Sequence, residues 1–162
     1  MIAEISAKMI AFYRGSLHDI DHFLKVYAYA KMIGEMEKLP AAQQKILEIA
    51  AIVHDIACPL CREKYGNASG KHQEAEGPAL TREFLREFAL SDAEIERICY
   101  LVGHHHTITA VDGMDYRILL EADYLVNAGE SNYSRGNIQN ALESIFRTES
   151  GAALLKDIYL RS

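Results

Sequence analysis

Histidine and aspartate concentrate in one stretch of this chain. All seven histidines, His18, His22, His54, His72, His104, His105 and His106, lie between positions 18 and 106, and several have acidic neighbours. Imidazoles clustered with carboxylates point first to a metal centre. The pair His54-Asp55 is the most informative, because it follows Ile52-Val53 at the end of the most apolar segment. A buried carboxylate is costly unless it is paired or binds a metal. Two adjacent ligands at a helix end can both reach one ion. The plainer alternative is a helix C-cap, where His suits the helix dipole and Asp opposes it. The dipeptide itself is common, and His18-Asp19 is a second copy in the same chain.

Asp123 stands within residues 119–126, mid-helix and on the apolar side, where Asp is a poor helix former. It needs a metal there, or else backbone or tyrosine hydroxyls to satisfy it. His22 closes an apolar stripe, a place where a lone histidine is ordinarily just hydrogen-bonded. Cys58-Pro59-Leu60-Cys61 has redox spacing but follows a helix end, and Cys99 leaves a zinc set one ligand short. Reduced structural thiols are the simpler reading. Glu74, Glu76 and Glu121 are acid/base candidates whose alternative is a solvated helix face.

The elements that must position these groups read as helices almost throughout. A first helix covers about 2–13 and a second about 19–37, with His22, Val26, Ala30 and Ile33 on one stripe. Pro40 opens a third that runs to about 55 and is apolar nearly all round, so it is central and buried. Residues 57–71 read as a loop, with Pro59, Gly66, Asn67, Ser69 and Gly70. A fourth helix spans about 73–88. Ser91 with Glu94 forms a capping box for a fifth that ends near His104 and His105. A sixth covers about 115–128, and one or two more close the chain through Ile138, Leu142, Ile145, Leu154 and Ile158. No run of alternating strand residues appears, so the class is all-α.

Taken together, His22 in HFLKV, His54-Asp55 in IAAIVHDIA, the segment GPALTREFL, His104-His105 in ICYLVGHHHT and Asp123 in LLEADYLV form an ordered constellation. It resembles the HD-domain superfamily of metal-dependent phosphohydrolases, and among them the small bacterial proteins. The resemblance runs over about 18–123. It implies an HD-domain helical bundle of six to eight helices, one HD domain over 1–162 with the motif region at 18–128 and helices at 134–160 packed on it. It also implies one divalent transition metal, Fe, Mn, Zn, Ni or Co, held by His22, His54, Asp55 and Asp123. Asp55 would be both ligand and water-orienting group, with His104 and His105 binding the leaving group or donating a proton. Many HD proteins carry a further His four residues before the Gly of the fourth helix. Here Gly77 puts Gln73 at that position and His72 one residue off, which argues for one metal over two. Arg62, Lys71, His72 and Gln73 are the expected substrate contacts, with solvated loop charge the alternative for Arg62.

Composition bounds the rest. With Lys+Arg 17 against Asp+Glu 23 and net charge −6, there is no cation excess to bind a nucleic-acid backbone. No apolar run approaches a membrane span. No secretory signal is evident, and three cysteines fit a reduced, cytoplasmic protein. The chain is long enough to bury roughly 70% of its unfolded surface without staples. The expected substrate is a small phosphoester of the nucleotide or sugar phosphate class. The competing readings are an HD-fold di-iron oxygenase and a nonenzymatic metal-containing, ligand-binding domain. Apolar positions between Ile138 and Ile158 would suit a homodimer.

Overall fold

The computed structural model describes residues 1–161 of the chain. Their regular structure is all helix, with no strand among the described residues: α1 (Ile2–Tyr13), α2 (Leu17–Met36), α3 (Ala41–Val53), α4 (Cys58–Tyr65), α5 (Gly70–Leu85), α6 (Asp92–Val102), α7 (Met114–Glu130), α8 (Arg135–Ser144) and α9 (Glu149–Leu155), then a π-helical turn at Lys156–Leu160. The all-α reading is correct.

The third helix is central for the reason its sequence gives. Leu47, Ile49, Ala50, Ala51, Ile52 and Val53 are each fully buried. A helix with no solvent face must be covered all round, and α1, α2, α6 and α7 do so. On α2 the stripe of His22, Val26, Ala30 and Ile33 is buried as expected. Ser91 and Glu94 close a reciprocal capping box at the start of α6. Gly77 allows α5 to lie close on α6, since a Cβ there would sit 2.7 Å from Val102 Cγ1.

Segment 57–71 is a correction. Its breaker residues bound a helix instead of forming a loop. Pro59 falls in the first turn of α4, where a missing N–H costs nothing, and Gly66 ends the helix at φ 72°. The next helix then starts at Gly70, three residues earlier than its apolar pattern suggests.

The C-terminal helices also depart from expectation. Ile138, Ala141 and Leu155 are buried within the chain, and only Ile158 of the stripe offered to a partner is exposed. Glu121 on α7 is fully buried. It accepts hydrogen bonds from Arg147 N at 2.7 Å, Thr148 N at 3.0 Å and Thr148 Oγ1 at 2.5 Å. It therefore anchors the α8–α9 connection, and is neither a solvated carboxylate nor an acid/base group.

Candidate metal centre

Three helices bring donor atoms of His22, His54 and Asp123 within 4.8 Å of one another, with Asp55 beside both histidines. His22 comes from α2, His54 and Asp55 from the residues that end α3, and Asp123 from α7. His22 Nε2 lies 3.2 Å from His54 Nε2, 3.2 Å from Asp123 Oδ1 and 3.4 Å from Asp55 Oδ2. His54 Nε2 lies 3.5 Å from Asp123 Oδ1 and 3.6 Å from Asp55 Oδ2. Neighbouring donors around an ion bound at ~2.1 Å are about 3.0–3.4 Å apart, so this donor set matches the spacing of a metal site.

The far side of each ring shows which nitrogen faces the cluster. His54 Nδ1–H donates to the Ala51 carbonyl at 2.8 Å, and His105 Nδ1–H to the Val102 carbonyl at 2.7 Å. His22 Nδ1–H donates to Glu130 Oε2 at 2.8 Å. A carbonyl can only accept, so the neutral rings of His54 and His105 carry their lone pairs on Nε2. Glu130 orients His22 the same way. Two lone pairs facing each other at 3.2 Å repel unless a cation lies between them. His105 adds a third nitrogen: its Nε2 is buried without a hydrogen-bond partner, 3.3 Å from Asp55 Oδ1.

The charges agree. Burial disfavours ionised Asp55 and Asp123, yet the surrounding histidines outweigh it and hold both below the ordinary carboxylate range. Burial also opposes charging His22, but Asp123, Asp55 and Glu130 pull its pKa up to about 9. In the metal-free protein a proton thus sits on His22 where an ion would go. Its contribution to stability is fully present below the unfolded value of 6.5 and is lost as pH rises through about 9. Loading a divalent ion at pH 7 should therefore release a proton, and apparent affinity should climb with pH up to about 9. Calorimetric titration in two buffers of different ionisation enthalpy measures this. Equal heats in both would contradict it.

The other expected site residues divide. His105 reaches the centre, but His104 does not. Its Nδ1–H donates to the Tyr100 carbonyl and its ring stacks on Tyr100 at 4.2 Å, turned toward Tyr116. His106 is there instead, grouped with Asp55 and His105 so that their donor atoms lie within 4.8 Å. Arg62 is occupied by Asp19, at 2.5 and 3.3 Å. His72 is half-buried, stacked on Tyr65 at 3.9 Å. Gln73 alone of that segment turns fully inward. Its Nε2 donates to the Ala68 carbonyl at 2.8 Å, and its Oε1 is buried without a partner. Lys71 is exposed beside Gly70, and a Cβ on Gly70 would meet the His106 ring at 2.7 Å. Glu74 accepts from His106 N at 3.0 Å and Thr107 Oγ1 at 2.9 Å, which pins the histidine loop to α5. Glu76 pairs with Lys64 and Tyr65 on the surface. Cys58 and Cys61 are free and buried, and burial pushes both thiols up, so they are inert.

Two contributors lie outside the expected set. Asn127 donates to Asp123 Oδ1 at 2.9 Å, and Glu130 holds His22. Both stand at helical spacing from Asp123, four and seven residues on, so the stripe itself marks them. Glu130→Ala should weaken metal binding by about 10–100-fold through loss of His22 orientation, measured by competition with a chromogenic chelator. Unchanged affinity would show that α2 alone sets the ring.

A cavity of about 160 Å³ opens at the centre, lined by His105, His106, Asp123, Asn127, Tyr124 and Tyr133 among others. A larger hollow of about 470 Å³ over Lys8, Phe12 and Phe84 contains no donor cluster, unlike the smaller one. No helix of the described residues is long and apolar enough to cross a membrane.

Comparison with known proteins agrees with this geometry. No curated protein matches the chain. A crystal structure of a predicted HD superfamily hydrolase from an uncultured Thermotogales bacterium superposes with a TM-score of 0.68 at 22% identity, covering 98% of this chain and 83% of that one. That likeness shows the fold. The model of the HD domain matches residues 19–129, a span that holds all four clustered donors and His105. The chain belongs to the HD-domain family.

Proposed function

We propose that this protein is a metal-dependent phosphohydrolase acting on a small phosphoester. The observation that carries the reading is the convergence of three histidine Nε2 atoms, each ring fixed from behind, on the carboxylates of Asp55 and Asp123. His22, His54, Asp55 and Asp123 would hold one divalent transition ion. Such an ion, when bound, polarises a phosphoryl oxygen and brings the pKa of a water toward neutrality.

The chain's own groups supply the rest. Asp55 presents Oδ2 to His22 and His54 and Oδ1 to His105, so it can orient a water between them. Burial opposes protonation of His105, but Asp55 outweighs it and raises its pKa, so His105 can hold a proton for the leaving oxygen. Water oxygen joins phosphorus as the ester P–O bond breaks, the departing oxygen takes that proton, and the proton given up by the water restores His105. The cavity admits a small substrate next to these groups.

A second reading has one observation in its favour. Asp55, His105 and His106 could hold a further ion, making His105 a ligand and not an acid. Metal stoichiometry separates the two. Two irons with dioxygen uptake would instead favour the oxygenase chemistry. The test of the main reading is phosphate release from a panel of phosphomonoesters with Mn, Fe, Co, Ni or Zn restored after chelation. Metal-dependent release supports it. No release from any ester by fully metal-loaded protein overturns it.

A further inference from the structure

The rings of His22, His54 and His105 are each held from behind by an acceptor. His106 is held differently. Its backbone N–H donates to Glu74 Oε1 at 3.0 Å, and the hydroxyl of the next residue, Thr107, donates to the same carboxylate at 2.9 Å. Its ring rests on Gly70: a Cβ there would fall 2.7 Å from His106 Cγ and 2.9 Å from its Cβ and Cδ2. Gly70 is the first residue of α5 and Glu74 stands one turn on, so both grips come from one helix.

The N–H that Glu74 accepts belongs to the peptide between His105 and His106. A peptide unit is planar, so fixing its N–H fixes the Cα atoms on both sides. One bond therefore sets where two side chains start. An ionised acceptor makes such a bond about twice as strong as a neutral one. The same turn is tied at 104 and 107, by Thr107 N–H to the His104 carbonyl at 2.8 Å and by the buried Tyr116 hydroxyl facing both of those carbonyls. His105 has a further anchor in the Val102 carbonyl. The loss of Glu74 thus falls on His106. Glu76, two residues on, turns to Lys64 and takes no part.

We infer that Glu74 is a positioning residue: through the peptide between His105 and His106 it holds His106 beside Asp55 at the metal centre, with Gly70 as the seat of the ring. Donor atoms of Asp55, His105 and His106 lie within 4.8 Å of one another, so a small swing of His106 alters what faces the centre. The inference goes beyond the hydrolase reading and needs only the metal centre.

The experiment follows His106 by NMR in wild type, Glu74→Ala and Glu74→Gln. In metal-free protein the His106 amide proton should exchange about ten-fold faster in Glu74→Ala, the scale of one lost bond to a charged acceptor. Glu74→Gln keeps an acceptor oxygen and should stay near wild type. In cobalt-loaded protein the ion shifts the His106 ring resonances, which should move in Glu74→Ala and return in Glu74→Gln. Cobalt affinity should stay within about two-fold throughout, because His22 and His54 keep their own supporting bonds. Gly70→Ala should displace the ring resonances with the amide still protected. On any ester that wild type hydrolyses, kcat should fall roughly ten- to a hundred-fold in Glu74→Ala alone. His106 amide and ring signals unchanged in Glu74→Ala would overturn the inference. So would equal losses of Tm and cobalt in the Ala and Gln variants, which mark a merely structural residue. The expected NMR pattern with no ester hydrolysed by any form would uphold the positioning role and sink the hydrolase reading.

Discussion

Asp55→Ala should leave a protein that folds but holds no tightly bound metal and releases no phosphate. Asp55 is the one group that touches every donor nitrogen of the centre: its Oδ2 faces His22 and His54, and its Oδ1 faces His105. Removing it takes away a ligand, the carboxylate beside His105 Nε2, and one of the carboxylates that offset the clustered imidazoles. The loss in metal affinity should therefore exceed the about 10–100-fold expected when only a ligand's supporting hydrogen bond is lost. Chelator competition and phosphate release measure the two effects. Asp55→Ala protein that kept its metal and turned over normally would place the chemistry elsewhere.

Glu121→Ala should do the opposite, destabilising the fold and sparing the metal. Two of the carboxylates of α7, Glu121 and Asp123, lie two residues apart yet serve different ends. Asp123 faces the histidines, whereas Glu121 faces the α8–α9 connection and accepts three hydrogen bonds there. Truncating it strands Arg147 N and Thr148 N, and unpartnered groups facing a lost charge cost about 1–3 kcal/mol each. For a chain of this size a total of about 2–5 kcal/mol lowers Tm by roughly 5–20 °C. Calorimetry of the metal-loaded variant checks this. A Tm within a degree or two of wild type would contradict the anchoring role, and a lost metal would place Glu121 in the site.

The contrast between those two residues shows what the sequence could and could not convey. The apolar run of α3, the His22 stripe and the Ser91 cap are local patterns, and the structure repeats them. The four clustered donors were legible because each breaks such a pattern: a charged or titratable group on a buried face has to be explained. Glu121 breaks the same pattern, but its explanation lies 26 and 27 residues away in backbone N–H groups that no side-chain type reveals.

Within the run His104-His105-His106 the sequence reading chose the first two and left His106 outside the site, yet it is His105 and His106 that reach the centre. Beyond the end of α6 the backbone leaves helical spacing, and the Val102 carbonyl aims His105 while the Tyr100 carbonyl captures His104. Arg62 looked free for a phosphate because 57–71 read as loop. Once α4 forms, Asp19 at the start of α2 holds it.

The most direct test is the metal content of the purified wild-type chain, measured by elemental analysis before and after reconstitution with Mn, Fe or Zn. The account predicts about one transition ion per chain bound by His22, His54, Asp55 and Asp123, with a second only if Asp55, His105 and His106 also load. A chain that binds no transition metal under any of these conditions would contradict it, and would leave the facing Nε2 atoms of His22 and His54 bridged by nothing more than a proton.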